Sequence, residues 1–445
     1  SVTGVQTCAL PICRVVLPLL TDAAASTSRR SLSDWLRWQE QLNPRAIELG
    51  LERSRTVADR LGLLPPPFVT ATIGGTNGKG SSAALAAGIW QAAGHKVGRY
   101  LSPHLLRYNE RIAIDGIDAS DDAICTAFAA IDLARGELPL TYFEFGTLAA
   151  LWLFREAKVD VQVLEVGLGG RLDAVNIVDA DAALVTNIGL DHTDWLGPDR
   201  ESIGYEKAGI FRAGRPAICA ESAPPDSLER HAEAIGAHWQ CAGANFAAGW
   251  AGDGWNWQGR GQGGSTAYAN LPMPALAGAM QIDNASGVLA LITALQERLP
   301  VERAAIEVGL RRLSLPGRYQ RLGGLILDVA HNVESASVLV AQLRAEPCSG
   351  RSLLVLGMLA DKPVAEVCRV LAPVMDTAWC ASLPGPRGLE GDRLAAIAQG
   401  ESLTAVSAGT VRDAIASARA FARPGDRIVV CGSFLTVAAA LEDRG

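Results

Sequence analysis

The sequence predicts an α/β protein in two units, the larger on a mostly parallel sheet. Three observations carry that expectation. An apolar, β-branched run, Phe68-Val69-Thr70-Ala71-Thr72-Ile73, leads through Gly74-Gly75-Thr76-Asn77-Gly78-Lys79-Gly80-Ser81 into an alanine-rich segment, Ser82 to Ala93, with strong helix propensity. A second run, Val159 to Val166, is apolar nearly throughout, as a strand covered on both faces must be. Beyond residue 315, runs at Leu325 to Val329, Ser352 to Leu356, Ala378 to Leu383 and Arg427 to Cys431 alternate with helical stretches. That alternation predicts a smaller Rossmann-like α/β domain.

A chain of 445 residues suggests two or three domains. With 49% hydrophobic and 20% charged residues it is globular with a sizeable core. A net charge of -7 argues against bulk nucleic-acid binding. Nine cysteines, an odd number with no CxxC pair, suit neither a disulfide framework nor a zinc site. A reducing, cytoplasmic setting is the simplest expectation. No run of about 18 apolar residues occurs, so no membrane span is expected. Ser1 to Leu20 carries short apolar runs without a basic flank, which does not suit a signal peptide. Residues 1–24 are read as an extension and given no function.

Taken in order, Ser31 to Leu61 reads as helical, with Trp35, Trp38 and Leu42 on its apolar face. Pro65-Pro66-Pro67 ends it. The strand, glycine turn, lysine, hydroxyl and helix that follow stand in P-loop order. Glycines let the backbone aim its N–H groups inward, and a helix start favours phosphate. Gly75, Thr76, Asn77, Gly78, Lys79, Gly80 and Ser81 are therefore read as a nucleotide cradle. Lys79 is placed to reach the outer phosphates and Ser81 to ligate Mg2+. Gly80 departs from the common P-loop, in which Ser or Thr follows Lys directly.

A short strand is expected at Val97 to Tyr100. Ser102-Pro103-His104-Leu105-Leu106-Arg107-Tyr108-Asn109-Glu110-Arg111-Ile112 reads as a surface loop, either functional or a connector tied by an ion pair from Glu110. Asp121 to Leu133 is amphipathic and helical. Thr141-Tyr142-Phe143-Glu144-Phe145 introduces a second helix. Glu144 there is either a cap favoured by the helix dipole or a metal ligand facing Ser81. Glu165 competes for that metal role, because it ends the strand that opens into the glycine-rich loop Gly167 to Asn176. Ala182 to Ile188 delivers Asp191-His192-Thr193-Asp194, where His192 is a metal ligand or a structural histidine. Lys207, among apolar and small residues, either pairs with Glu206 or Asp194 or becomes a neutral amine by burial. Gln240 to Met280, rich in Gly, Ala and Trp, predicts short antiparallel strands forming a side sheet. Asp283 to Arg298 returns to helix. The first unit ends near Leu315-Pro316-Gly317-Arg318-Tyr319. In the second, Asp328 to Asn332, Ala360 to Pro363 and Gly432-Ser433-Phe434 place polar residues at strand ends.

The P-loop form Gly75 to Ser81 resembles that of the Mur-type ATP-dependent amide ligases. Ser102-Pro103-His104-Leu105, Glu165 to Asn176 and Asp328 to Asn332 resemble folylpolyglutamate synthase. Pro103 to Ile112, with Tyr142 to Phe145, is most similar to the bacterial bifunctional dihydrofolate synthase/folylpolyglutamate synthase family. The similarity runs from about Leu32 to Leu441. It implies a P-loop ATPase domain over 25–314, a Rossmann-like glutamate-ligase domain over 315–445, and an active site between them. It also implies ATP-dependent joining of L-glutamate to dihydropteroate and to tetrahydrofolates, by a cytoplasmic monomer with no nucleic-acid or membrane partner.

The resemblance assigns roles as well. Ser81 and Glu144 match the ligands of a first Mg2+, which decides for Glu144 over Glu165. His192 matches a ligand of a second Mg2+, shared with Glu144, and Lys207 matches a lysine that is carbamylated. Asn284, Arg318 and Asp328 match nucleotide contacts. Ser102, Pro103, His104 and Arg107 belong to the substrate loop, and His331 and Ser433 to motifs lining the cleft. The position of Gly80 is normal in this family. A monofunctional folylpolyglutamate synthase, another Mur-type ligase and a non-catalytic nucleotide switch are the rival readings. The Gly167 to Asp173 loop disfavours a cell-wall ligase. The joint presence of Lys79, Ser81, Glu144, His192 and Lys207 disfavours a switch.

Overall fold

The computed structural model describes residues 30–443, apart from 44, 46, 262, 263 and 279. The extension read over 1–24 lies outside them. The stretch expected to be helical from Ser31 to Leu61 forms two helices, α1 (Leu32–Leu42) and α2 (Glu52–Arg60). The break falls at Asn43, which is extended at φ -116 and ψ 124, as the residue before a proline tends to be.

The central strand of the larger unit is β1 (Val69–Gly74), buried at every position. It feeds α3 (Lys79–Ala92). Then come β2 (Val97–Tyr100), the edge strands β3 (Ile112–Ile114) and β4 (Ile117–Asp118), α4 (Asp121–Arg135), α5 (Tyr142–Ala157) and β5 (Val161–Glu165). They are followed by β6 (Ala182–Val185), α6 (Thr193–Leu196), α7 (Arg200–Ala208), β7 (Pro216–Cys219), α8 (Asp226–Ala234) and β8 (His238–Cys241). The sheet order is β4-β3-β2-β5-β1-β6-β7-β8. Only the β3 and β4 edge is antiparallel; β2, β5, β1, β6, β7 and β8 pair in parallel.

Register decides where the chemistry goes. Ile73 pairs with Glu165, and Gly74 with Val185. The C-terminal ends of β1, β5 and β6 therefore finish at one level, where open α/β sheets hold ligands.

The tryptophan-rich stretch forms the expected side sheet of β9 (Phe246–Ala251), β10 (Gly254–Gly261) and β11 (Gly264–Leu271), all antiparallel. Trp255 and Trp257 are fully buried, and their indole N–H groups donate to Pro272 O (2.9 Å) and Ser286 O (3.1 Å), which removes the cost of burying them. α9 (Met280–Ala294) and α10 (Arg303–Arg312) complete the unit and cover α3.

The smaller unit contains β12 (Gln320–Leu322), β13 (Leu325–Leu327), α11 (Val333–Ala345), β14 (Ser352–Leu356), α12 (Val364–Leu371), β15 (Thr377–Cys380), α13 (Gly391–Gly400), β16 (Ala405–Ser407), α14 (Val411–Phe421), β17 (Arg427–Cys431) and α15 (Phe434–Glu442). Its order is β12-β13-β17-β14-β15-β16, parallel except for β12. The cores on its two faces are separate from those of the larger unit. All seven cysteines among the described residues are unbridged. No described helix is long and apolar enough to cross a membrane.

Candidate active site

A cleft of about 550 Å³ lies where the strand ends of the two sheets face each other. Its floor is the turn after β1. Gly75 has φ +141, and a Cβ on it would meet Thr186 Oγ1 at 1.8 Å. Gly78 has φ +80 and precedes α3; a Cβ there would sit 2.4 Å from Asn284 Oδ1. Both positions thus need glycine, for backbone angle and for space.

The segment leaving β6 holds the turn from outside. Asn77 N–H donates to Asn187 Oδ1 (2.8 Å), Gly189 N–H to Thr76 Oγ1 (2.9 Å), and Thr186 Oγ1–H to Asn77 O (2.6 Å). Lys79 Nζ donates to Gly75 O and Thr76 O, 3.1 Å each, and so stays at the mouth of the turn. Ser81 is buried one residue beyond Gly80 and also lines the cleft.

Glu165 stands beside this turn. A Cβ on Gly80 would lie 3.6 Å from Glu165 Oε1, and Ser102 N–H donates to Glu165 Oε2 (2.8 Å). Burial raises the pKa of this carboxyl against the pull of Lys79. Glu144 takes no part. Its carboxylate closes a capping box at the start of α5, accepting Thr141 N–H (2.7 Å), and is also held by Ser54 Oγ (3.1 Å) and Arg53 Nε (3.2 Å). It does not line the cleft. The metal role assigned to Glu144 is therefore corrected. Its oxygens are spent on a helix end and a guanidinium, whereas Glu165 lies beside Gly80 and lines the cleft together with Ser81.

His192 and Lys207 both reach the cleft. His192 sits at φ +54 before the single turn α6, and burial lowers its imidazole to a pKa of about 4, leaving it neutral at pH 7. Lys207, on α7, is 4% exposed and donates from Nζ to Gly75 O (2.9 Å). Burial, then the charge of Lys79, lowers its ammonium to about 7. It does not pair with Glu206, which is taken by Arg171 (2.7 Å).

In the loop after β2, the carboxylate of Glu110 accepts the N–H groups of Leu105 (2.7 Å), Leu106 (2.8 Å) and Arg107 (2.7 Å). Ser102, Pro103 and His104 reach the cleft. Arg107 does not: its guanidinium lies in solvent and pairs with Asp121 (3.2 Å). Its expected substrate contact is corrected, because the Glu110 clamp directs the middle of the loop outward.

The smaller unit supplies the opposite wall. Arg318 is half-buried, its guanidinium 5.2 Å from the Phe434 ring centre. Asp328 accepts the N–H groups of Tyr319 and Ala330, 2.8 Å each. Asn284, on the other side, reaches Gly78. His331 Nδ1 donates to Val329 O (2.8 Å), which turns Nε2 toward Asp191 Oδ2, 3.8 Å away. Ser433 caps α15 through Leu435 N–H (3.2 Å).

Asp191 and Lys362, which sequence reasoning noticed only as parts of polar turns, meet at 2.9 Å across the cleft, each mostly buried. Asn332 joins them, donating to Asn77 Oδ1 (3.1 Å) and Asp191 Oδ2 (3.3 Å). Burial pushes the Asp191 carboxyl up, but His331, His192 and Lys362 outweigh it and hold it far below the usual carboxylate range. Arg387 also lines this wall and had no sequence signal.

The Mur ligase middle domain family matches residues 73–232, and the Mur ligase glutamate ligase domain family matches residues 311–434. The Dihydrofolate synthase/folylpolyglutamate synthase of Escherichia coli (strain K12) is 45% identical over 418 residues, covering 92% of this chain and 95% of that relative. The structure of E. coli FolC in complex with DHPP and ADP is 44% identical with a TM-score of 0.88, covering 94% of this chain and 98% of that one. A bifunctional folylpolyglutamate synthase/dihydrofolate synthase structure with Mn, AMPPNP and L-glutamate bound is 43% identical with a TM-score of 0.86, covering 94% and 98%. With likeness of that degree along almost the full length of both chains, this protein belongs to the dihydrofolate synthase/folylpolyglutamate synthase family of Mur ligases.

Proposed function

We propose that this chain is an ATP-dependent ligase that joins L-glutamate to dihydropteroate, giving dihydrofolate, and to reduced folates, lengthening their glutamyl tails. The observation that carries the reading is the convergence of the P-loop, Glu165, His192 and Lys207 on one cleft wall, opposite Lys362, His331 and Arg318.

A carboxylate is a poor acylating agent. One of its oxygens attacks the γ-phosphorus of ATP, the β–γ bridging bond breaks, and ADP leaves with those electrons. The acyl phosphate so formed is attacked at its carbonyl carbon by the neutral amine of glutamate. A tetrahedral intermediate then expels phosphate. Lys79 and the N–H groups of the turn face the charge that gathers as two anions meet. Lys362, paired with Asp191 (2.9 Å), and Arg387, paired with Asp361 (2.6 Å), line the wall where a dicarboxylate amino acid would dock, and those carboxylates would have to share these cations with it.

The residues fit divalent cations. Glu165 is buried beside the P-loop with no ion pair among the described residues, and neutral His192 and the Ser81 hydroxyl complete a hard oxygen and nitrogen donor set. Two Mg2+ ions, when bound there, would offset phosphate charge and polarise the transferred group. Carbamylation of Lys207 would convert a lysine already poised to be neutral into an anionic ligand. Domain limits of 25–314 and 315–445, a cytoplasmic setting, and a monomer whose cleft is completed by one chain belong to the same reading.

The test is ADP release and product mass with Mg-ATP and L-glutamate, offering dihydropteroate and tetrahydrofolate separately. Glutamate addition to both is expected. Addition to tetrahydrofolate alone would leave a monofunctional folylpolyglutamate synthase, and turnover of neither by a folded, ATP-binding preparation would end the reading. In the same assay Lys207→Ala is expected to lose turnover and regain part of it with added short carboxylates. Undiminished activity in that variant would remove the carbamate.

A further inference from the structure

A second cavity, of about 380 Å³, lies behind the P-loop helix, between the later half of α3, β2 and α10. Arg99 and Arg312 both line it, and among the described residues no carboxylate does. Arg99 Nε is buried with no hydrogen-bond partner among the described residues, and the guanidinium's ion contact is with Asp118 at the long distance of 3.9 Å. Arg312, in the last turn of α10, is exposed and in no ion pair among the described residues. The Arg99 side chain is 21% exposed, but its Nε–H is shut away from water without an acceptor, which is costly. The polar groups beside it are Gln91 and Ser314, and the rest of the wall is alanine, glycine, valine and leucine.

Gly88 gives an independent indication. It lies in the interior of α3, where glycine weakens a helix. It nevertheless has nothing within 4 Å of where a Cβ would stand, so no neighbour demands it. It faces the cavity, and its missing side chain leaves volume there.

We propose that this cavity binds a small organic dianion, carboxylate or phosphate, through Arg99 and Arg312. Its carbon frame would lie on the alanine and glycine wall, and its anionic ends would take the planar forks of the two guanidinium groups. Leu313 and Ser314, on the rim, begin the connector to the smaller unit, and Arg318 of the active-site cleft follows four residues after Ser314. An anion held here therefore braces the segment that joins the two units. The site is separate from the ligase chemistry and stands or falls independently of it.

The experiment is calorimetric titration with succinate and, separately, with inorganic phosphate. Mg-AMPPNP is kept saturating so that the nucleotide site is filled, and L-glutamate, itself a dicarboxylate that the proposed cavity could take, is left out. Saturable binding of at least one probe is expected, with a rise in the thermal midpoint. Binding should weaken by about tenfold or more in Arg312→Gln and in Gly88→Leu, and stay within about twofold in Lys362→Ala. Gly88→Leu should fold with an unchanged or higher midpoint, because the added side chain enters open space and replaces a poor helix former. No binding of either probe up to about 10 mM, or binding that survives both cavity variants, would overturn the site. Loss of binding in Lys362→Ala would return the anion to the active-site cleft.

Discussion

A buried carboxylate takes its role from what else reaches it. Glu144 is surrounded by donors of its own domain: a helix start, the Ser54 hydroxyl and Arg53. Among the described residues Glu165 has a single N–H on one oxygen, and Gly80 lies beside both. The two residues should therefore separate cleanly on substitution. Glu165→Gln is expected to lower turnover by about 100-fold or more with the fold intact. Glu144→Gln should keep the metal dependence and lose about 1–3 kcal/mol of stability. Turnover against Mg2+ concentration and thermal melting measure both, and the reverse pattern would restore Glu144 as the ligand. The residues leave this choice open, since an acid at a helix start and an acid at a strand end look equally apt. The decision rests on Arg53 and Ser54, about ninety positions from Glu144 and outside any local pattern.

Elements were legible in proportion to their burial and length. β1 and β5, apolar on both faces, and α3, rich in alanine, announce themselves. β12 and β16 escaped, being edge strands of three residues with exposed positions, and so did β7, buried at every position but only four residues long and opened by a proline. The loop after β2 was legible as polar but not as ordered, because its order comes from one side chain collecting three backbone N–H groups. That clamp carries a prediction. Glu110→Gln leaves one oxygen where two accepted, so the loop should loosen. The expected result is a rise of about threefold to tenfold in KM for the pterin substrate, with KM for ATP within about twofold. Equal changes in both would mean that the loop serves the nucleotide as well.

For the whole molecule, two alternating patterns separated near residue 315 were readable. The meeting of the two units across the cleft was not. Asp191 and Lys362 are 171 positions apart, and no periodicity links them. Their ion pair is mostly buried, so removing one partner strands the other charge, a loss of about 3–5 kcal/mol if the cleft stays shut. Opening the cleft is the cheaper response. Asp191→Asn should therefore raise KM for glutamate by about tenfold or more and enlarge the radius of gyration seen by solution scattering. An unchanged radius with unchanged KM would show that the pair does not hold the units together.

The described chain passes between the two sheets once, along 313–319. Its first helix belongs to the larger unit and its last to the smaller. Mechanically the two units stand in series. A force applied between those helices passes through that strip and through the contacts of Asp191, Asn332 and Glu334 across the cleft, before it loads any β-strand ladder. Under tension the protein would lengthen first by parting its active site, and would lose its catalytic geometry while both sheets remained whole.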